Sequence, residues 1–247
     1  MTTEMHEKIQ ILLEEDCCHE CEGYGEGHVC VHIEAMAELP TRFGDFHIVA
    51  FSNNKDDKEH IAIIKGDVIG ADDVPVRLHS ECLTGDAIGS LRCDCRDQLE
   101  ASLKKIGEME RGMVLYLRQE GRGIGLTNKI RAYTLQDQGL DTVAANLALG
   151  FRDDERDYAV AAHMIHSLKV NSIKLMTNNP KKIAQLEQHG VKINERMPHI
   201  LPMNEHNIFY LKTKAAKSGH MIDFKGKEHL PEQSDRPIVE GMSEDQI

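Results

Sequence analysis

Short apolar or alternating runs bounded by turn residues dominate the chain from about residue 35 onward. "FHIVAF" (46–51), "HIAIIKG" (60–66) and "VPVRLHSE" (74–81) have the length and punctuation of strands. In "DQLEASLKKIGEMERG" (97–112), Leu99, Leu103 and Ile106 fall at helical spacing, with Gly112 at the expected stop. "MVLYL" (113–117) and "SIKLMT" (172–177) read as buried strands. "LTNKIRAYTLQDQG" (126–139) and "RDYAVAAHMIHSLKV" (156–170) read as helices, and Asn179-Pro180 opens another that ends near Gly190, before "VKINE" (191–195). Strands alternating with helices predict an α/β fold of three layers, a mixed sheet flanked by helices. Three segments follow: a Cys/His-rich appendage (1–34) with a short amphipathic helix in "EMHEKIQILLEE", a packed domain (35–222), and a polar tail (223–247).

Composition narrows the setting. At 247 residues, with 40% hydrophobic and 28% charged positions, the chain suits one sizeable globular domain with appendages. No apolar run approaches the ~20 residues that span a bilayer, so no membrane partner is expected. The N-terminal stretch has neither the basic nor the apolar region of a secretory signal. Seven cysteines, an odd number, argue for reduced thiols and a cytoplasmic location. A net charge of -12 would repel a nucleic-acid backbone, so an anionic ligand requires a local gathering of cations.

Three of the cysteines crowd into "SECLTGDAIGSLRCDCRDQ", where a Gly-Asp turn could return Cys82 to the Cys93-x-Cys95 pair. Three thiolates are a zinc set that leaves a fourth tetrahedral position for water, although buried structural cysteine is the plainer alternative. "RQEGRGIGLTNK" (118–129) lies between a strand and a helix, where backbone N–H groups, Arg118 and Arg122 could meet phosphate. Glycine-rich turns at such places are mostly structural. "TNNPKK" (177–182) puts two lysines at a helix start, where the dipole disfavours them unless an anion is present. "DDERD" (153–157) reads by itself as a helix cap with a surface arginine. In the appendage, Cys17, Cys18, Cys21 and Cys30 with His19, His28 and His32 could bind a second zinc or be inert.

Taken together, "VRLHSECLTGDAIGSLRCDC", "LRQEGRGIGLTNKIRAYTLQDQGLDT", "LGFRDDERDY" and "TNNPKK" resemble the GTP cyclohydrolase II family over roughly residues 36–222. The resemblance implies a GTP cyclohydrolase II-like fold and zinc on Cys82, Cys93 and Cys95. It implies GTP contacts from Arg77, Leu78, His79, Ser80, Glu81, Gln98, Glu120, Gly121, Arg122, Thr142, Thr177 and Lys182. It assigns catalysis to Tyr133, Asp154 and Arg156, and implies Mg²⁺ and a homodimer. The activity implied is hydrolysis of GTP to 2,5-diamino-6-hydroxy-4-(5-phosphoribosylamino)pyrimidine, formate and pyrophosphate, the committed step of riboflavin biosynthesis. Two alternatives stand beside it: a paralogue stopping at the formamidopyrimidine, and a GTP-binding module without turnover. Arg156 is left either as a nucleophile or as an electrostatic stabiliser, the latter being more natural for a guanidinium.

Overall fold

The computed structural model describes residues 3–16, 29–199 and 221. Its strands are β1 (Val31–Thr41), β2 (Gly44–Asn53), β3 (His60–Lys65), β4 (Val74–Ser80), β5 (Gly112–Leu117), β6 (Ile173–Met176) and β7 (Ile193–Met197). Its helices are α1 (Thr3–Asp16), α2 (Cys95–Gly107), α3 (Gly125–Asp137), α4 (Thr142–Ala148), α5 (Ala159–Ser167) and α6 (Pro180–Gln188). All seven strands join one sheet in the order β1-β2-β3-β5-β4-β6-β7. The pairs β1–β2, β2–β3 and β3–β5 are antiparallel, whereas β4–β5, β4–β6 and β6–β7 are parallel. The sheet is therefore mixed, as expected.

Side-chain alternation divides the core between two faces. Val49, Phe51, Ala62, Ile64, Val74, Val76, Leu78, Met113, Leu115, Ile173 and Leu175 point to one face, covered by α1, α5 and α6 through Ile9, Leu12, Val160, Ile165 and Leu186. Phe46, Ile63, Val114 and Met176 point to the other, where Leu99, Leu103 and Ile106 of α2 pack on them. Helices on both faces give the three predicted layers. Strand β4 departs from the usual pattern because its polar positions are also buried: Arg77 and His79 lie on the α2 side, 6% and 3% exposed.

Several elements differ from the pattern-based expectation. Strand β1 lacks clean alternation, since burial is concentrated at Val31 and Ile33 and its remainder lies open at the sheet edge. Backbone pairing with β2 and a bulge at Ile33/Ala35 hold it there, and an edge strand tolerates Pro40. Helix α2 begins at Cys95 and ends at Gly107, five residues before the predicted stop. A Cβ on Gly107 would fall 2.0 Å from the Phe43 carbonyl oxygen, so only glycine lets the helix end rest on the β1–β2 turn. Helix α4 is short and was not anticipated; Asp141 caps it by accepting from the Val143 and Ala144 amides. The predicted N-terminal helix is present as α1, with Ile9 buried in the main core. Cys17, Cys18, Cys21, His19, His28 and the tail 223–247 lie outside the described residues. Cys30 Sγ sits 3.3 Å from His32 Nε2.

Candidate active site

The carboxyl ends of β4, β5 and β6 meet at one edge of the sheet. Strand β4 is followed through α2 by β5 on one side, and later by β6 on its other side. Chain order thus reverses about β4, the position at which open α/β sheets form ligand crevices. A cleft, open at its mouth, lies there. Its walls include Ser80, Glu81, Glu120, Gly121, Arg122, Tyr133, Thr142 and Arg156, with Cys82, Cys93 and Cys95 among them.

A single π-helical turn, Leu83–Ala87, folds the chain back after Cys82. Its backbone is pinned by Asp86 N–H to the Cys82 carbonyl and Gly89 N–H to the Gly85 carbonyl. Cys93 follows the loop and Cys95 starts α2. The three sulfurs lie within 4.8 Å of one another, with Cys82 and Cys93 at 3.6 Å. Tetrahedral zinc with Zn–S bonds of ~2.3 Å requires sulfurs about 3.8 Å apart, so the spacing fits. Gly85 leaves room for the cradle: a Cβ there would sit 2.8 Å from Cys93 Sγ and 3.1 Å from Cys82 Sγ. Hydrogen bonds from the two neighbouring thiols, outweighing burial and helped by Lys129, hold the Cys82 thiol far below its usual range. The Cys93 thiol is pushed up to about 11 by its bond to Cys82, and Cys95 is also raised. The trio shares one negative charge, a donor set that a soft divalent cation would complete by displacing the remaining protons.

Two buried networks fix this turn. The Asp86 carboxylate accepts from His79 Nε2 at 3.0 Å, the Tyr116 hydroxyl at 2.9 Å and the Cys82 amide at 3.0 Å. Burial lowers the His79 pKa, so the ring is neutral and carries its proton on Nε2. It stacks on Tyr116, its register partner on β5, at 5.4 Å. In the second network the Lys129 ammonium donates to Cys82 Sγ at 3.0 Å and to Glu120 Oε1 at 2.7 Å. Glu120 Oε2 accepts from the Leu83 amide at 2.7 Å, and Oε1 also accepts from the Gly121 amide.

The glycine-rich segment opens as a 3₁₀ turn over Glu120–Gly123, with Gly121, Arg122 and Gly123 all left-handed, at φ 64°, 61° and 93°. Arg122 is the costly member, since a non-glycine residue there loses of order 1–2 kcal/mol. Its guanidinium is held by Asp153 at 2.6 Å and its carbonyl by the Glu155 amide. Nearby, Arg156 donates from Nε and Nη2 to the two oxygens of Asp154, a bidentate pair. Burial raises Asp154, but the bonds and charge from Arg156 outweigh it and keep the carboxyl ionised. Tyr133 on α3 meets the Thr84 hydroxyl at 3.2 Å, and burial pushes its phenol up, so it remains protonated at neutral pH.

The structure separates the residues singled out in the sequence into two tiers. Ser80, Glu81, Cys82, Cys93, Cys95, Glu120, Gly121, Arg122, Tyr133, Thr142 and Arg156 line the cleft. Arg77, Leu78, His79, Gln98, Asp154, Thr177 and Lys182 lie outside that lining. Arg77 donates to Gln98 Oε1 at 2.6 Å and to the Met176 carbonyl, and burial pulls its pKa down to about 10. The Leu78 side chain is in the core on the opposite face, while its carbonyl accepts from the buried Lys182 ammonium at 2.7 Å. Thr177 Oγ1 accepts from the Asn179 amide. Of the paired lysines, Lys182 is buried, whereas Lys181 is about half exposed and lies 3.7 Å from Asp153. In "DDERD" only Asp157 acts at a helix start, accepting from the Ala159 amide. Lys129, Thr84 and Asp86 were not singled out; the i, i+4 spacing of Lys129 and Tyr133 on one helix was the available signal.

The family described as GTP cyclohydrolase II matches residues 32–198. A GTP cyclohydrolase-2 of Picrophilus torridus is 56% identical over 192 residues, covering 78% of this chain and all of that protein. One from Pseudomonas paraeruginosa is 57% identical over 190 residues, covering 76% and 92%. A riboflavin biosynthesis protein RibBA of Synechocystis is 55% identical over 194 residues, but the match spans only 35% of that longer protein. With its cleft, sulfur trio and glycine-rich turn on one α/β scaffold, the chain belongs to the GTP cyclohydrolase II family.

Proposed function

We propose that the chain, as a GTP-hydrolysing enzyme of riboflavin biosynthesis, binds one zinc on Cys82, Cys93 and Cys95 and converts GTP to the diaminopyrimidine ribonucleotide, formate and pyrophosphate. The observation that carries this reading is a sulfur trio of zinc-like spacing in the same cleft as Tyr133 and Arg156. Zinc held there supplies Lewis acidity and a hydrolytic nucleophile near neutral pH. Tyr133, protonated and oriented by Thr84, exchanges a proton with the purine as its imidazole ring opens. Arg156 stabilises charge on the α-phosphoryl group. Nε and Nη2 of its guanidinium are both committed to Asp154, which favours a fixed cation over a nucleophile. Arg122 and the left-handed turn offer further phosphate donors, and Mg²⁺ bound to the phosphates would supply positive charge for the leaving pyrophosphate.

The homodimer is part of this proposal, and Leu91 and Ile88 on the loop after β4, Leu126 and Ile130 on α3, and Leu147 on α4 are exposed apolar side chains that a subunit contact could cover. Among the described residues no helix is long and apolar enough to cross a membrane. Cys82, Cys93 and Cys95 form no disulfide, which fits a reducing cytoplasm. The net charge leaves nucleic acid outside the expected partners. Incubation of the zinc-loaded protein with GTP and Mg²⁺, with formate and pyrophosphate measured together, tests the reaction. Pyrophosphate without formate would identify a formamidopyrimidine-forming enzyme, and neither product would refute the proposal.

A further inference from the structure

We propose that Lys129 is a positioning residue of the metal centre, whose ammonium donates a hydrogen bond to the Cys82 sulfur and sets how strongly that thiolate donates to a bound metal. This rests on the zinc reading above.

Lysine is almost never fully buried unless paired, and α3 offers Lys129 a route to solvent on its outer face, where Ile130 is exposed. The side chain instead turns inward, 8% exposed, with Nζ 3.0 Å from Cys82 Sγ. Its position is dictated by Glu120, 2.7 Å away. Glu120 is itself immobilised, because the Leu83 and Gly121 amides bind its two oxygens. The carboxylate therefore ties together the turn after β4, the turn after β5 and the ammonium.

A buried Lys–Glu pair is weak evidence of stabilisation by itself, since apolar residues of similar volume often serve as well. The sulfur contact gives this pair a chemical task. Three thiolates over-compensate a dication, leaving the centre electron-rich and net negative. An N–H···S bond from a cation withdraws density from one of them and offsets that charge, which is how outer groups tune a metal. Glu120, lying among the substrate-contact positions, is assigned by the same geometry to holding Lys129 rather than to offering its carboxylate to the nucleotide.

The test uses the full chain loaded with Co²⁺ or Zn²⁺, comparing wild type, Lys129→Met, Lys129→Arg and the double variant Glu120→Gln/Lys129→Met. Readouts are the thiolate-to-cobalt charge-transfer band and metal affinity by chelator competition. Lys129→Met is expected to move the band to longer wavelength and to change metal affinity about 10- to 100-fold. Lys129→Arg, which keeps a cationic donor, should restore most of both. The double variant removes the unpaired carboxylate, so it reports the same band shift even if the single variant folds poorly. A Lys129→Met or double-variant protein with an unmoved band and affinity within twofold of wild type would overturn the proposal. A wild-type protein that takes up neither metal would instead overturn the zinc reading.

Discussion

Gly85→Ala tests the sulfur cradle with a single methyl group. The added carbon would lie 2.8 Å from Cys93 Sγ, 3.0 Å from Cys95 Cβ and 3.1 Å from Cys82 Sγ. Non-bonded carbons sit comfortably at about 3.5–4.0 Å, so the nearest contact is short by roughly 0.7 Å or more. A metal site tolerates ligand displacements of only about 0.2 Å. The turn cannot give way cheaply, because Asp86, Gly89 and Ser90 amides bind the Cys82, Gly85 and Thr84 carbonyls. The sulfurs must therefore spread. Overpacking of this kind costs about 1–3 kcal/mol, which for a chain of this size lowers Tm by about 2–12 °C. Zinc affinity should fall at least tenfold, with formate production falling in step. Equilibrium competition against a chelator, elemental analysis and a thermal melt measure the three effects. Zinc affinity and formate production both equal to wild type would refute the reasoning, since the methyl group would then have found space that the sulfur positions deny it.

Three further outcomes follow from the same geometry. Cys82→Ser should release pyrophosphate from GTP while producing no formate, since Arg156 and Asp154 do not depend on that sulfur; equal loss of both products in a variant that still binds GTP would contradict this division. Asp86→Ala leaves His79 Nε2, the Tyr116 hydroxyl and the Cys82 amide without their acceptor. At about 1–3 kcal/mol per orphaned donor the variant should lose at least 3 kcal/mol in urea unfolding, and Asp86→Asn should recover part of it. His199 is buried with its pKa lowered to about 3, first by burial and then by Arg77. The unfolded chain therefore binds the extra proton between pH 6.5 and 3, so stability is complete above 6.5 and falls with pH below it. One unit below 6.5 the loss is about 1.4 kcal/mol, and His199→Gln should flatten the slope of Tm between pH 4.5 and 6.5.

Much of the sheet was legible because burial and sequence pattern coincide. Val49 and Phe51, Ile63 and Val114, Ile173 and Leu175 lie in runs that are apolar whichever face they serve, and Asn179-Pro180 caps α6 as their chemistry requires. Strand β1 was not legible, since its place depends on β2 supplying hydrogen bonds to a segment with little apolar alternation. Helix α4 was hidden by its length, seven residues with one cap. At the site, motif order brought the sulfur trio, the glycine-rich turn and "DDERD" to notice separately. Which partner each charged group takes was beyond the sequence: Arg122 finds Asp153 across thirty-one positions, and Lys129 finds Cys82 across forty-seven. The second of these distances closes only when the segments after β4 and β5 are carried side by side by the parallel pairing of their strands.

That pairing also locates where the fold departs from ordinary satisfaction of buried polar groups. Among the described residues, Arg77 Nε, His79 Nδ1 and Gln119 Oε1 are buried without a protein hydrogen-bond partner. Two of the three belong to β4, and Gln119 follows β5, the strand paired with it. Buried polar groups elsewhere in the sheet would be selected against at about 1–3 kcal/mol each. Their concentration on two paired strands places the cost near the edge where the cleft opens. Local rules of stability are broken at functional sites and kept elsewhere. Strand β4 shows both behaviours at once: Val74, Val76 and Leu78 anchor one face in the core, while Arg77 and His79 place buried polar groups on the other. A strand that alternates in this way must be covered on both faces, which is why the edge where the cleft opens requires α2 and the Cys82 turn as its roof.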